Sequence, residues 1–311
     1  MARYPYSIVD VFTDRPFGGN PLAVFLDAER IPVALYPRIA KELNLSETTF
    51  VLPPADAANH FRVRIFTPAA ELPMAGHPTL GTAYVLTRAG RFDPAASGGV
   101  LRLEEGVGPV PVTVEPGVAG NGGVAGRAAP GQITMQQGLP VFGPEFADRA
   151  AAAAALSLTE ADLLPGAPVQ TVSCGVPFWF IGLRGLAAIR RARARADVWE
   201  RQFAGSPAHA LFCFTLETEH AGSHVHARMF GVGLGIGEDP ATGSASGPLG
   251  CYLLRHGLLP RAPVARMVSE QGIEMGRPSF LHIAIHSAGD AVSAVYVGGR
   301  CVPMGHGELE L

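Results

Sequence analysis

The amino-acid sequence predicts an α+β protein of two pseudo-symmetric lobes, each an antiparallel curled sheet or open barrel around a central apolar helix. Three observations predict it. Short segments alternate apolar and polar residues with the two-residue period of half-buried strands. Two apolar segments of helical spacing each open on a glycine, at Gly76-His77 and at Gly243-Ser244. The same landmarks also recur in the same order: Gly19-Asn20-Pro21-Leu22 returns as Gly175-Val176-Pro177-Phe178, Arg64-Ile65-Phe66 as Arg228-Met229-Phe230, and Gly76-His77 as Gly243-Ser244. A chain of 311 residues accommodates two halves of roughly 150 residues each, a common domain size. The expected boundaries are 1–130, with the last strand, 303–311, as a candidate to complete that lobe, and 131–302.

Taken in order, Leu35, Ile39 and Leu43 carry the spacing of a helix that includes Lys41, the only lysine in the chain. Glu47 follows the end of that helix near Leu43-Asn44 and opens a strand. Phe61, Val63 and Ile65 alternate with Arg62, Arg64 and Phe66, which predicts a strand with one buried face. After Gly76-His77, Pro78 fits a first helical turn, and Leu80, Ala83, Tyr84 and Leu86 continue at helical spacing until Gly90. Val110, Val112 and Val114 mark another strand. The glycine-rich stretch 116–131 reads as a hairpin loop or the approach to a domain junction, and the alanine run Ala150 to Ala155 as a helix. In the second half, Val225, Ala227 and Met229 alternate with His224, His226 and Arg228. Ser244 then opens a helix carrying Leu249, Tyr252 and Leu253 and closing at Gly257, and Leu281, Ile283 and Ile285 mark a further strand. Both apolar helices must be wrapped on nearly all sides.

Composition narrows the function. With 48% hydrophobic and 16% charged residues, and no apolar run near the roughly 20 residues that span a bilayer, the chain reads as soluble, with no membrane role. Its start lacks the continuous apolar stretch of a signal peptide, so the expected location is the cytoplasm. A net charge of -3 without a basic stripe argues against nucleic acid and leaves a small molecule as the expected partner. A single lysine outside any phosphate-loop or Schiff-base motif excludes those two chemistries. Cys174, Cys213, Cys251 and Cys301 show no CxxC pairing, so reduced thiols are expected rather than disulfides or a zinc knuckle. His224 and His226 form an HxH pattern that could ligate zinc, but on a polar strand face beside Arg228 they read as solvated or structural histidines. The string Gly231, Gly233, Gly235, Gly237 lacks the GxGxxG spacing of a dinucleotide loop, and neither Ser244 nor Ser246 sits in GxSxG.

A helix start exposes unpaired backbone N–H groups and the positive end of the helix dipole. Gly76-His77 and Gly243-Ser244 are therefore natural cradles for a carboxylate or a developing oxyanion. If the halves pack about a pseudo-twofold axis, both can face one cleft.

The runs Val9-Asp10-Val11-Phe12, Gly18-Gly19-Asn20-Pro21, Leu45-Ser46-Glu47-Thr48-Thr49-Phe50-Val51, Arg64-Ile65-Phe66-Thr67-Pro68 and Glu71-Leu72-Pro73-Met74-Ala75-Gly76-His77-Pro78-Thr79 closely resemble the phenazine biosynthesis PhzF-like family. So do Gly237-Glu238-Asp239-Pro240-Ala241-Thr242-Gly243-Ser244-Ala245 and, late in the chain, Gln271-Gly272 with Met275-Gly276-Arg277-Pro278-Ser279. The resemblance covers nearly the full chain. It implies the diaminopimelate epimerase-like fold, a homodimer, and no cofactor or metal. It also implies Glu47 as the acid/base, supported by His77, Asp239 and Ser244, with Ser46, Gly76 and Gly243 completing a substrate pocket. The implied reaction is an isomerisation that moves a proton on a small substrate, one expected to be unsaturated and to carry a carboxylate. The alternative on the same fold is an amino-acid epimerase or racemase, which places a cysteine at each helix start where this chain has His77 and Ser244. A non-catalytic small-molecule binder is the other alternative.

Overall fold

The structure, a computed structural model, describes residues 2–117 and 129–311, so residues 118–128 of the glycine-rich stretch lie outside the described residues. The chain divides into two compact units, Met1–Gln136 with Gly298–Leu311, and Gln137–Val297.

In the first unit the elements are β1 (Arg3–Val11), β2 (Asn20–Phe25), α1 (Tyr36–Leu43), β3 (Glu47–Leu52), β4 (Phe61–Phe66), β5 (Glu71–Leu72), α2 (Gly76–Arg88), β6 (Val100–Glu105), β7 (Gly108–Val114) and β8 (Ile133–Gln137). The second unit carries β9 (Val141–Glu145), α3 (Arg149–Ala155), β10 (Gln170–Ser173), β11 (Pro177–Gly182), α4 (Leu186–Arg191), α5 (Ala196–Gln202), β12 (Leu211–Thr215), β13 (Val225–Gly231), β14 (Ile236–Asp239), α6 (Gly243–Arg255), β15 (Val264–Gln271), β16 (Ser279–Ala288) and β17 (Ala291–Gly299). The last strand, β18 (Cys301–Glu310), pairs antiparallel with β1 in the first unit.

The repeat read from the landmarks is a repeat of strand pairing. In the first unit β2 runs parallel to β3, β3 antiparallel to β4, β4 parallel to β6, and β6 antiparallel to β7. In the second, β11 runs parallel to β12, β12 antiparallel to β13, β13 parallel to β15, and β15 antiparallel to β16. Each recurring arginine makes the same two-pronged ion pair with a glutamate of the short strand before the buried helix. Arg64 Nε and Nη2 lie 2.7 Å from the Glu71 carboxylate, and Arg228 Nε and Nη2 lie 2.8 Å from that of Glu238.

Every residue of α2 from Gly76 to Thr87 is buried, against β1, β2, β3, β7 and β18. The other face of that sheet packs on α1 through an aromatic cluster in which Tyr36 stacks on Phe50 with ring centroids 4.1 Å apart, flanked by Phe25 and Phe66. In the second unit α6 packs against β10, β11 and β16. A further layer of α3, α4 and α5 buries Trp179, Ile181, Leu211 and Phe230.

That extra layer changes one expectation. β13 is buried on both faces instead of one. Its polar residues survive there because they are paired: Arg228 Nη1 donates to the Ile189 and Ala192 carbonyls at the end of α4, and fully buried His226 sits between the Glu270 and Glu274 carboxylates at 2.9 and 3.0 Å. His226 is therefore a structural histidine, not a solvated one. Among the described residues, no helix is long and apolar enough to cross a membrane.

Candidate active site

Two periods bring Glu47 to the start of α2. Thr82 Oγ1 donates to Thr49 Oγ1 at 2.9 Å, so Thr49 faces that helix, and Glu47, two residues earlier on β3, faces the same way. Two strand residues cover about 6.7 Å, and the five helical residues back from Thr82 to His77 cover about 7.5 Å. The side chains accordingly meet: His77 Nε2 lies 3.1 Å from Glu47 Oε2. Both residues are buried, 9% of Glu47 and 5% of His77 remaining exposed. Burial pushes the imidazole down to about 3, which keeps the ring neutral at pH 7.

Ala75, extended at φ -151 and ψ 144, precedes the helix and supplies no side-chain cap. The first N–H groups of α2, those of Gly76 and His77, thus have no partner within the helix and none from a capping side chain. Ser46, half-buried, directly precedes Glu47.

In the second unit Asp239 ends β14, buried, and accepts a hydrogen bond on Oδ2 from Thr242 Oγ1. Gln271, the last residue of β15, holds the turn from both sides. Its Oε1 accepts from Thr242 N at 3.1 Å, while its Nε2 donates to the Asp239 carbonyl at 2.7 Å and to Thr242 Oγ1 at 3.0 Å. Gln137 Nε2 donates to the Gly243 carbonyl at 2.9 Å. Gly243 opens α6, again with no side-chain cap, and Ser244 follows it half-buried, its hydroxyl unbonded among the described residues. Pro248 lies inside α6 and has no N–H to offer the Ser244 carbonyl, so this first turn is under-bonded at both kinds of backbone group.

Each unit therefore builds one uncapped helix start on a glycine, with a buried acid beside it. Sequence reasoning named Glu47, His77, Asp239, Ser244, Ser46, Gly76 and Gly243. It missed the residues that hold them, Thr242, Gln271 and Gln137. The signal for Gln271 was the glycine after it: at Gly272, φ is +75, and a Cβ would lie 2.5 Å from the Arg277 carbonyl oxygen and 2.6 Å from that of Pro240. No cysteine occupies either helix start. Cys174 and Cys213 lie just after β10 and on β12, Cys301 opens β18, and Cys251 sits eight residues past Gly243, about 12 Å along α6.

A family model described as phenazine biosynthesis-like protein matches residues 9–307. Over 306 residues, 98% of this chain and 99% of the relative, the sequence is 37% identical to the trans-2,3-dihydro-3-hydroxyanthranilate isomerase of Pseudomonas aeruginosa. The structure is similar to that of a PhzF-family phenazine biosynthesis protein from Bacillus anthracis, with a TM-score of 0.88 at 27% identity and full coverage of both chains. A probable proline racemase from Agrobacterium radiobacter has a TM-score of 0.64 at 11% identity, covering 99% of this chain and 93% of the other, a likeness of fold.

Proposed function

Because the chain belongs to the phenazine biosynthesis-like protein family, whose diaminopimelate epimerase-like α+β fold it has, we propose that it moves a proton between two carbons of a small, unsaturated carboxylic acid, with Glu47 as the general acid/base. That the chain is an isomerase follows from relatives 34–37% identical along almost its whole length. The observation that carries the finer reading is the buried contact of Glu47 Oε2 with His77 Nε2 at the uncapped start of α2.

The ionised Glu47 carboxyl takes a proton from a saturated carbon next to a double bond. The electron pair of that C–H bond becomes a new double bond, the old one shifts, and the far carbon receives the proton back from Glu47. Atoms, electrons and charge balance within the substrate, so these steps call for no oxidant, metal or cofactor. Negative charge develops on the substrate in between, and the Gly76 and His77 N–H groups with the neutral imidazole are the donors suited to it. Asp239 and Ser244, with Ser46, Gly76 and Gly243, take substrate-holding roles from the family resemblance. Ser244 offers a hydroxyl unbonded among the described residues, and an under-bonded helix start, for a carboxylate. The substrate class draws support from the Pseudomonas aeruginosa relative, whose name specifies a dihydro-anthranilate. A homodimer belongs to the same reading and would sediment at twice the mass of one chain.

The test is a screen of cyclic unsaturated carboxylic acids, trans-2,3-dihydro-3-hydroxyanthranilate among them, incubated with the enzyme in D2O. A shifted double bond with deuterium at the carbon that receives the proton is expected. Inversion with deuterium at the α-carbon of an amino acid would instead establish epimerase chemistry, and no exchange by any candidate would sink the reading.

A further inference from the structure

A second buried acid stands behind the first turn of α2. On β6, Leu101, Leu103 and Glu105 face inward while Arg102 and Glu104 face outward, so an apolar stripe ends on a carboxyl only 6% exposed. Glu105 Oε1 lies 2.6 Å from Thr79 Oγ1, and Thr79 Oγ1 lies 2.7 Å from the Ala75 carbonyl oxygen. A hydroxyl has one hydrogen to give, and a carbonyl oxygen can only accept. When Thr79 gives its hydrogen to Ala75, the hydrogen in the contact with Glu105 has to come from the carboxyl. When Thr79 gives it to Glu105, two bare acceptors are left 2.7 Å apart. Both contacts are hydrogen bonds at once only if Glu105 carries a proton. Its other oxygen, Oε2, is buried with no hydrogen-bond partner among the described residues, which a neutral acid tolerates far better than a carboxylate.

The repeat supports the same conclusion independently. Arg62 on β4 pairs with Glu104 on β6 just as His226 on β13 pairs with Glu270 on β15, which sets Gln271 in the place of Glu105. The glycines that follow press on matching prolines: a Cβ on Gly106 would lie 2.8 Å from Pro73 Cα, and one on Gly272 3.1 Å from Pro240 Cα. Ser246 Oγ donates to the Thr242 carbonyl as Thr79 Oγ1 does to that of Ala75. The second unit thus places an uncharged amide where the first places Glu105.

The Ala75 carbonyl belongs to the same peptide group as the Gly76 N–H, the first donor of the helix start. We propose that Glu105 is a positioning residue that works as a neutral carboxylic acid, its proton locking Thr79 onto the Ala75–Gly76 peptide and strengthening the Gly76 N–H as a donor to anions. Hydrogen bonds in series polarise one another in this way. The functional consequence rests on the proposed role of that helix start, whereas the protonation itself does not. Burial pushes the Glu105 carboxyl up to about 8; only a hydrogen bond donated by Thr79 would oppose that shift, and no charged side chain among the described residues acts on it. Arg102 and Glu104 lie on the outer face of its own strand, Arg62 and Arg64 of β4 face Glu104 and Glu71, β7 carries no ionisable residue, and His77 on α2 is neutral.

Glu105→Gln supplies the uncharged group at every pH, and two measurements on the full chain read the difference. In the wild type the Gly76 amide resonance shifts with an inflection near pH 8; in the variant it does not. A carboxyl whose pKa is raised by folding contributes stability that is fully present below its ordinary value and lost as pH rises through the folded one. The melting temperature of the variant relative to the wild type should therefore rise between roughly pH 4.5 and roughly pH 8, and the difference should stay constant above that. A lead that does not change with pH, or a Gly76 resonance that titrates alike in both chains, overturns the proposal. Should the variant not fold, the wild-type resonance decides alone, and the absence of an inflection refutes it. Neither readout needs a substrate, so a chain that isomerises nothing would sink the proposed function and leave the Glu105 result standing.

Discussion

A carboxyl oxygen and an imidazole nitrogen lie 3.1 Å apart, both buried, where the proposed proton transfer takes place. Glu47→Gln keeps the shape and removes the ability to take a proton. Turnover should fall by at least about 10²–10⁴-fold, the usual contribution of a positioned acid/base, while the melting temperature stays within a few degrees; a fully active variant would remove Glu47 from the mechanism. Gln271 is the corresponding fixing point in the second unit. Gln271→Leu strands the buried Thr242 N–H, at a cost of about 1–3 kcal/mol, and urea unfolding should register the loss. The two repeats differ at these places. His77 corresponds to Ser244 and Glu105 to Gln271, so of the two helix starts only that of α2 carries an imidazole.

At the scale of single elements, the two buried helices carry a cost that their packing offsets. α2 has small residues on several sides, and Gly81 marks its closest approach to the sheet: a Cβ there would lie 2.5 Å from Leu22 Cδ2 and 2.8 Å from Val11 Cγ2. On an exposed helix, Gly to Ala stabilises by up to about 1 kcal/mol. Here Leu22 and Val11 are fully buried and have no room to retreat, and overpacking of that kind costs about 1–3 kcal/mol. Gly81→Ala should therefore lower the melting temperature, and a rise would show that the sheet yields. Strand β13 illustrates the opposite solution, in which buried polar groups are kept and paired. Arg228 closes the carbonyl end of α4, where a cation is favoured, and His226 is held by two carboxylates.

Across the whole molecule, these buried acids and bases shape stability against pH. Burial alone would lower the pKa of His226, but the Glu270 and Glu274 carboxylates outweigh it and raise the imidazole to about 9. Glu270 is held down to about 2, burial opposing and His226 with the Glu219 and His220 N–H groups favouring the charged form. The His226 contribution is fully present below its ordinary value near 6.5 and lost as pH rises through about 9. That of Glu270 is present above 4.5 and lost as pH falls toward about 2. Stability from this pair is therefore greatest from about pH 4.5 to 6.5. His226→Gln should flatten the alkaline fall in melting temperature, and an unchanged alkaline limb would show that the imidazole is neutral in the fold.

The sequence by itself determined the α+β class, the order of strands and helices around the two glycine-led helices, the internal duplication and the family. These are written in local periods of two and 3.6 residues and in landmarks that recur in the same order. Glu47 was singled out because it stands in a run that resembles the family's, and Gly76 and Gly243 because each opens an apolar helix. Only the tertiary structure decided that the polar face of β13 is buried, since this depends on α4 and on the Glu270 and Glu274 carboxylates, all brought from elsewhere in the chain. It alone showed that Glu105 ends an apolar stripe against Thr79, and that Gln271 clamps the turn before α6. Such contacts join residues tens of positions apart, and a hydrogen-bond partner brought by another strand leaves no period in the residues of either.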